Sequence, residues 1–271
     1  MNNDKILPTT RIVAIIVIPF LWLAFLILFF FPETTGERFA WLITPHMTSL
    51  YIGAGYLGGS WLFVNMLVQK RWHRVKGGFF AITTFTWFML LATLLHWERF
   101  SHGTLGFTLW LILYIVTPFL VPVIWNLNRK ADTGQPEESD VIIAPAILWI
   151  LRLIGTAGLA TVAIGFVQPD FLIRIWPWAL TPLTARVMCG WIALLSVGAF
   201  AMSADPRWTS WRVPLQSILI WHVLVFAAVI MKADDFTMSL VNWYTVSIFV
   251  MVVGILVFYP LMERKRKQSA T

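Results

Sequence analysis

The sequence predicts an all-α membrane protein with eight transmembrane helices, arranged as two parallel-related repeats of four. Three observations carry that expectation. Of 271 residues, 59% are hydrophobic and 12% charged, where a soluble domain runs to about 45–50% and about 25%. Apolar runs of about 20 residues, the length that crosses the hydrocarbon core of a bilayer, recur from one end to the other. Finally, several rare residue types of the first half reappear in the same order in the second.

The runs place spans at 12–31, 46–68, 78–97, 105–125, 142–167, 183–203, 213–231 and 240–262. They are apolar throughout, whereas membrane-spanning strands alternate apolar and polar residues over about ten positions. The first run, Ile12 to Phe31, has the length of a full span and no small-residue cleavage site after it, so it reads as a helix and not as a cleavable signal. The second and sixth follow Thr44-Pro45 and Thr181-Pro182. In such a pair the Thr hydroxyl accepts from a free backbone N–H as N-cap, and Pro at the first helical position gives up a donor that had no partner. Between the fourth and fifth runs lies Asn126–Asp140, NLNRKADTGQPEESD, with Gly, Pro and clustered acids; it reads as a flexible linker. The expected organisation is therefore a first repeat over 1–126, a linker over 127–140 and a second repeat over 141–271.

Charge orients these spans. Lys5, Arg11, Lys70, Arg71, Arg74, Lys76, Arg129, Lys130, Arg207, Arg212, Arg264, Lys265, Arg266 and Lys267 fall on one side, against Arg38, Arg99, Arg174 and Lys232 on the other. By the positive-inside rule both termini are expected in the cytoplasm of a multi-pass cell-membrane protein. The net charge of +7 has the same source, so it does not point to nucleic acid. Cys189 is the single cysteine, which excludes an intrachain disulfide and a thiolate metal cluster.

At an offset of 137 residues Pro8 meets Pro145, Pro32 meets Pro169, Trp41 meets Trp178, Thr44-Pro45 meets Thr181-Pro182, and Gly53 meets Gly190. Two copies with an even number of spans share one orientation, so the expected relation is a pseudo-two-fold axis along the membrane normal. The second copy's core, Trp176-Pro-Trp-Ala-Leu-Thr-Pro-Leu-Thr-Ala-Arg186, resembles a W-P-x-x-L-T-P-x-T-A-R segment of uncharacterised polytopic bacterial membrane proteins. The resemblance covers about a tenth of the chain per copy; it implies a bacterial inner-membrane protein and no particular activity. The first copy has Ala40 for the early Pro and Ser49 for the Arg.

Few polar groups stand where they are expensive. Arg152 and His222 lie at similar depth in the fifth and seventh spans, where a charge costs roughly 2.5–3.5 kcal/mol on insertion scales, and are expected to be neighbours. Arg152 reads as interior, bonded to His222 or to a backbone carbonyl, with snorkelling to the headgroups as the other outcome. The starts of the second and sixth spans, with Thr44, Thr181, His46 and Arg186, read either as caps with aromatic anchors or as a converging positive site for an anionic small molecule or lipid head group. The acids Glu33, Glu37, Glu98, Asp170, Asp234 and Asp235 gather outside the spans near His46, His96 and His102, but no pair puts two ligands on one helix face. No metal and no cofactor is therefore expected, haem included. Gly55 and Gly59 form a small-residue ridge that suits helix packing within the chain or a homodimer seam.

No Asp or Glu lies deep in a span, which speaks against a proton- or sodium-coupled pump, and no nucleophile–base pair marks an enzyme. Two functions lead: a small permease or channel-like protein with its site between the repeats, or a membrane accessory protein that packs against a partner or organises lipid; a third, an enzyme acting on lipid head groups at the extracytoplasmic face through Arg186 and the acids there, stays open behind them.

Overall fold

The computed structural model describes residues 4–269, and every regular element among them is helical. Eight long helices dominate: α1 (Pro8–Phe30), α2 (His46–Val68), α3 (Gly78–Leu95), α4 (Leu105–Asn128), α5 (Pro145–Val167), α6 (Pro182–Ser203), α7 (Trp208–Met231) and α8 (Trp243–Gln268). Short helical turns follow α1 at Thr35–Arg38 and α5 at Pro169–Ile175. The long helices begin where the local chemistry lets them. Pro8, Pro145 and Pro182 sit in the first helical turn, Thr104 accepts from the Phe107 N–H, and Asn242 accepts from both Tyr244 and Thr245, so donors that a helix start leaves free are matched.

Seven of the eight are long and apolar enough to cross a membrane. The exception is α2, which has the length but carries Thr48, Ser49, Gly53, Gly55, Gly58, Gly59, Ser60 and Asn65. Its position explains its composition. Most of its residues are buried, whereas α1 and α5 leave Ile12, Ile15, Ile16, Trp149, Ile150 and Leu153 more than half exposed. A helix wrapped by others needs small residues for close approach more than it needs apolar ones for lipid.

The packing has a definite plan. Helix α2 lies against α1 and α7, and α6 lies against α5 and α3; α4 covers α3, and α8 covers α7. Each half thus lends its third helix to the second helix of the other half, so the halves share one core, with Tyr51, Phe85, Trp191 and Trp221 in a single buried cluster.

At one end of the bundle, Lys5 pairs with Arg71 and Ile142 with Arg207 as isolated bridges, and Arg212 of α7 reaches Glu263 of α8 at 2.8 Å. All the segments rich in Lys and Arg gather there; we call it the basic end. At the opposite end Ser101 donates its backbone N–H to Ala40 and Trp178 bridges to Phe236.

The linker is not the free tether that its composition suggests. Asp132 binds Lys76 and Arg207, Glu137 binds Arg74, and Asp140 accepts from Thr209. Its acids meet loops of both halves, which pins residues that a polar, Gly- and Pro-containing sequence would leave mobile.

Candidate functional site

The two expected helix-start sites differ. Thr181 caps α6 as expected: its hydroxyl accepts from the Thr184 N–H at 3.2 Å while Thr184 returns the bond. In the first copy Pro45 is the cap residue, α2 begins at His46, and Thr44 is exposed. The reason lies across the molecule, where the Asp235 carboxylate accepts from the Met47 N–H at 2.6 Å. The anion that the positive helix start attracts is the chain's own side chain. His46 is half-buried beside it.

Arg186 does not join His46. Its Nε donates to the Phe166 carbonyl and its Nη1 to His96 Nε2 at 2.7 Å, so His96 accepts there as a neutral imidazole. Burial and the charges of Arg186 and Arg99 push the His96 pKa down.

Arg152 and His222 are likewise apart in role. His222 is buried and its Nδ1 donates to Ile218 O at 2.8 Å within its own helix. Arg152 meets the hydroxyl and carbonyl of Ser203, both at 3.4 Å, and its guanidinium lies 4.7 Å from the centre of the Trp149 ring. Ser203 is the last residue of α6 at the basic end, so Arg152 leans towards that end. A backbone carbonyl is among its partners; His222 is not, because α5 packs on α6 whereas α7 packs on α2.

The densest polar cluster is one that sequence reasoning missed. At the basic end His73 is buried, with Nδ1 against the Asp4 carboxylate and Nε2 at 3.0 Å from the Thr209 hydroxyl and 3.1 Å from Glu137. Thr209 spends its own proton on Asp140 at 2.6 Å, so towards His73 it can only accept. Both ring nitrogens therefore face acceptor oxygens. Beside it Arg207 binds Asp132 in a fork, at 3.0 and 2.8 Å, and Asp205 at 2.6 Å. Burial pushes the Asp205 carboxyl up, but the bonds and charges of Arg207 and Lys76 outweigh it and hold its pKa at about 2; Asp132 is held well below the usual carboxylate range by the same partners. Among the described residues, Asp4, His73 and Asp132 are the group whose ligand atoms come close enough to suggest a metal. They fit one poorly, since Asp132 already carries two cationic partners. The outer acids that the sequence grouped with His46, His96 and His102 form no such group.

Deeper in the bundle lies a cavity of about 220 Å³. Helices α1 to α4 form most of it, through residues such as Val17, Ala24, Gly59 and Leu113, and α6 and α7 close it with Trp191, Ser217 and Trp221. Its wall is overwhelmingly apolar. The polar exceptions include Tyr56 and Tyr114, whose hydroxyls meet at 2.8 Å. The seam between the halves, by contrast, is filled: Trp191 stands 4.4 Å from Phe85, 4.9 Å from Trp221 and 5.5 Å from Tyr56, centre to centre. Gly55 makes room for it, because a Cβ there would lie 2.6 Å from the indole.

No family model, curated protein or solved structure matches this chain.

Proposed function

We propose that this chain is an eight-pass membrane protein made of two parallel four-helix repeats, with its basic end in the cytoplasm, and that it takes an apolar molecule from the bilayer into the cavity that α1 to α4 wall together with α6 and α7. The observation that carries this reading is the cavity wall. A path for a hydrophilic solute needs polar groups to replace its water, and ring-filled packing occupies the seam where the repeats meet. An apolar cavity walled by helices with lipid-length apolar faces suits a guest that arrives sideways. Helices α1 and α4 touch little, so the wall is thinnest between them. The permease-like function is thereby narrowed to a lipid-like substrate.

Eight passes and the repeat have their own support. The segments before α1, between α2 and α3, between α4 and α5, and between α6 and α7 share the basic end with the C-terminal end of α8, as alternating passes require. The helix pairings of the first half recur in the second.

Gly59 lines the cavity and has open space where its Cβ would be, so Gly59→Phe fills the space without a backbone clash. Native mass spectrometry of protein released from lipid nanodiscs should find a retained apolar molecule on the wild type and lose it in the variant. Retention on neither, or equally on both, overturns the reading. Reporter fusions after residue 132 should read cytoplasmic; an external signal overturns the orientation. The filled seam also favours a second function, an accessory protein that carries no guest, and wild type free of any retained molecule would select it.

A further inference from the structure

Resting on the cavity reading, we infer that the guest carries a hydrogen-bond acceptor of the carbonyl class, held at mid-depth by donors of the cavity wall. The indole Nε1 atoms of Trp191 and Trp221 are buried and have no partner, and so is the Ser217 hydroxyl; all three residues line the cavity. Tyr56 and Tyr114 share one bond between two hydroxyls, which leaves one O–H to spare. An indole N–H can only donate. The other hydroxyls of the wall are spent, since Thr86 donates to the Thr83 carbonyl and Thr117 to the Leu113 carbonyl.

These donors belong together. Ser217 and Trp221 stand one turn apart on α7, and the α2 backbone is close, for a Cβ on Gly58 would lie 2.7 Å from Trp221 Cβ and 2.8 Å from the Ser217 carbonyl. Trp191 packs on Trp221 from α6, with ring centres 4.9 Å apart. All lie near the middle of their helices, where no water competes and an unmatched donor is most expensive. Trp41, Trp72 and Trp176 also keep unpartnered indoles, but none of them lines this cavity. At about 220 Å³ the cavity compares with an apolar cavity of about 150 Å³ that takes benzene, and it is too small for a whole lipid. It suits a ring or a short chain segment with its carbonyl, the rest of the chain passing out between α1 and α4.

Two sources offer that chemistry, the quinone ring of a prenylquinone and the ester of an acyl lipid. The test uses purified protein in nanodiscs of a dialkyl-ether phosphatidylcholine, which brings no ester carbonyl, with three probes of equal chain: decyl-1,4-benzoquinone, decyl acetate and decylbenzene. The expected result is that one or both carbonyl probes bind about fivefold to tenfold more tightly than decylbenzene, the worth of a net hydrogen bond or slightly more. The tighter of the two names the source. Ser217→Ala and Trp221→Phe should each weaken the carbonyl probe severalfold and leave decylbenzene unchanged, with melting curves confirming that each variant is folded. Equal affinity for all three probes overturns the acceptor while leaving the apolar cavity intact. Binding of none overturns the cavity reading itself.

Discussion

Two of the contacts that join the halves of this molecule differ in kind, rings at mid-depth and charges at the basic end. Around Trp191 the contact is a matter of shape: Phe85, Tyr56 and Trp221 surround one indole, and Gly55 leaves the space it needs. Around Arg207 and His73 it is a matter of charge and hydrogen bonds, with Asp4, Asp132, Glu137, Asp140 and Asp205 set against Arg74, Lys76, Arg207 and the His73 ring. The first contact is blind to pH and salt but intolerant of a change in volume. The second tolerates shape and depends on every partner staying ionised.

Four experiments break or sharpen that contrast. Trp191→Ala should have the largest effect, lowering stability by about 3–5 kcal/mol, as large-to-small changes in a packed core do; thermal melts at low and high salt should show the same loss. Arg207→Met should cost about 3 kcal/mol, because it leaves Asp132 and Asp205 buried without their shared cation. Arg207→Lys should restore only part, since an ammonium lacks the fork.

Acid should separate the two contacts without mutation. The Asp205 pKa is depressed from an ordinary 3.8 to about 2 in the folded chain, so its contribution is present above about pH 4 and disappears as pH falls towards 2. Asp132 acts in the same direction. Cross-linking between the loops at 69–77 and 204–207 should fall across that window while Trp191 stays buried to quenchers; simultaneous loss of both would merge the two contacts into one. The smallest effect belongs to the helix starts. Thr181→Ala should cost about 1 kcal/mol, a typical cap, and Thr44→Ala close to nothing. Equal effects would mean that the starts of α2 and α6 do the same work after all.

The sequence made the helices legible because hydropathy against lipid is a local signal. The expected spans end within a few residues of the observed helices, except at the start of α7, set at 213 and found at Trp208, and at the end of α8, set at 262 and found at Gln268. Both misses fall where polar residues continue a helix beyond the apolar run. Thr181 was legible as a cap because its partner Thr184 is three residues away, whereas the fate of Thr44 depended on Asp235, far along the chain. Arg152 and His222 matched in depth only from the expected span starts; α5 begins at Pro145 and α7 at Trp208, which sets His222 about two turns deeper, and depth in any case says nothing about which helices touch. His73 escaped notice for a related reason. It sits in a loop whose Lys and Arg read as orientation signals, and its carboxylates come from the N-terminal segment and the linker.

The composition of α2 bears on how the chain is made. It is the long helix that falls short of the apolarity expected of a span, and its two packing neighbours are α1, synthesised just before it, and α7, synthesised after most of the remaining chain. At about 5–20 residues per second, the interval between α2 and α7 is on the order of ten seconds. Throughout it Gly58 has no Trp221 against it, and for most of it Gly55 also lacks Trp191, which comes with α6. Assembly is therefore ordered in time, with the earliest helices waiting on one of the last, and a nascent chain stopped before α7 holds α2 half covered.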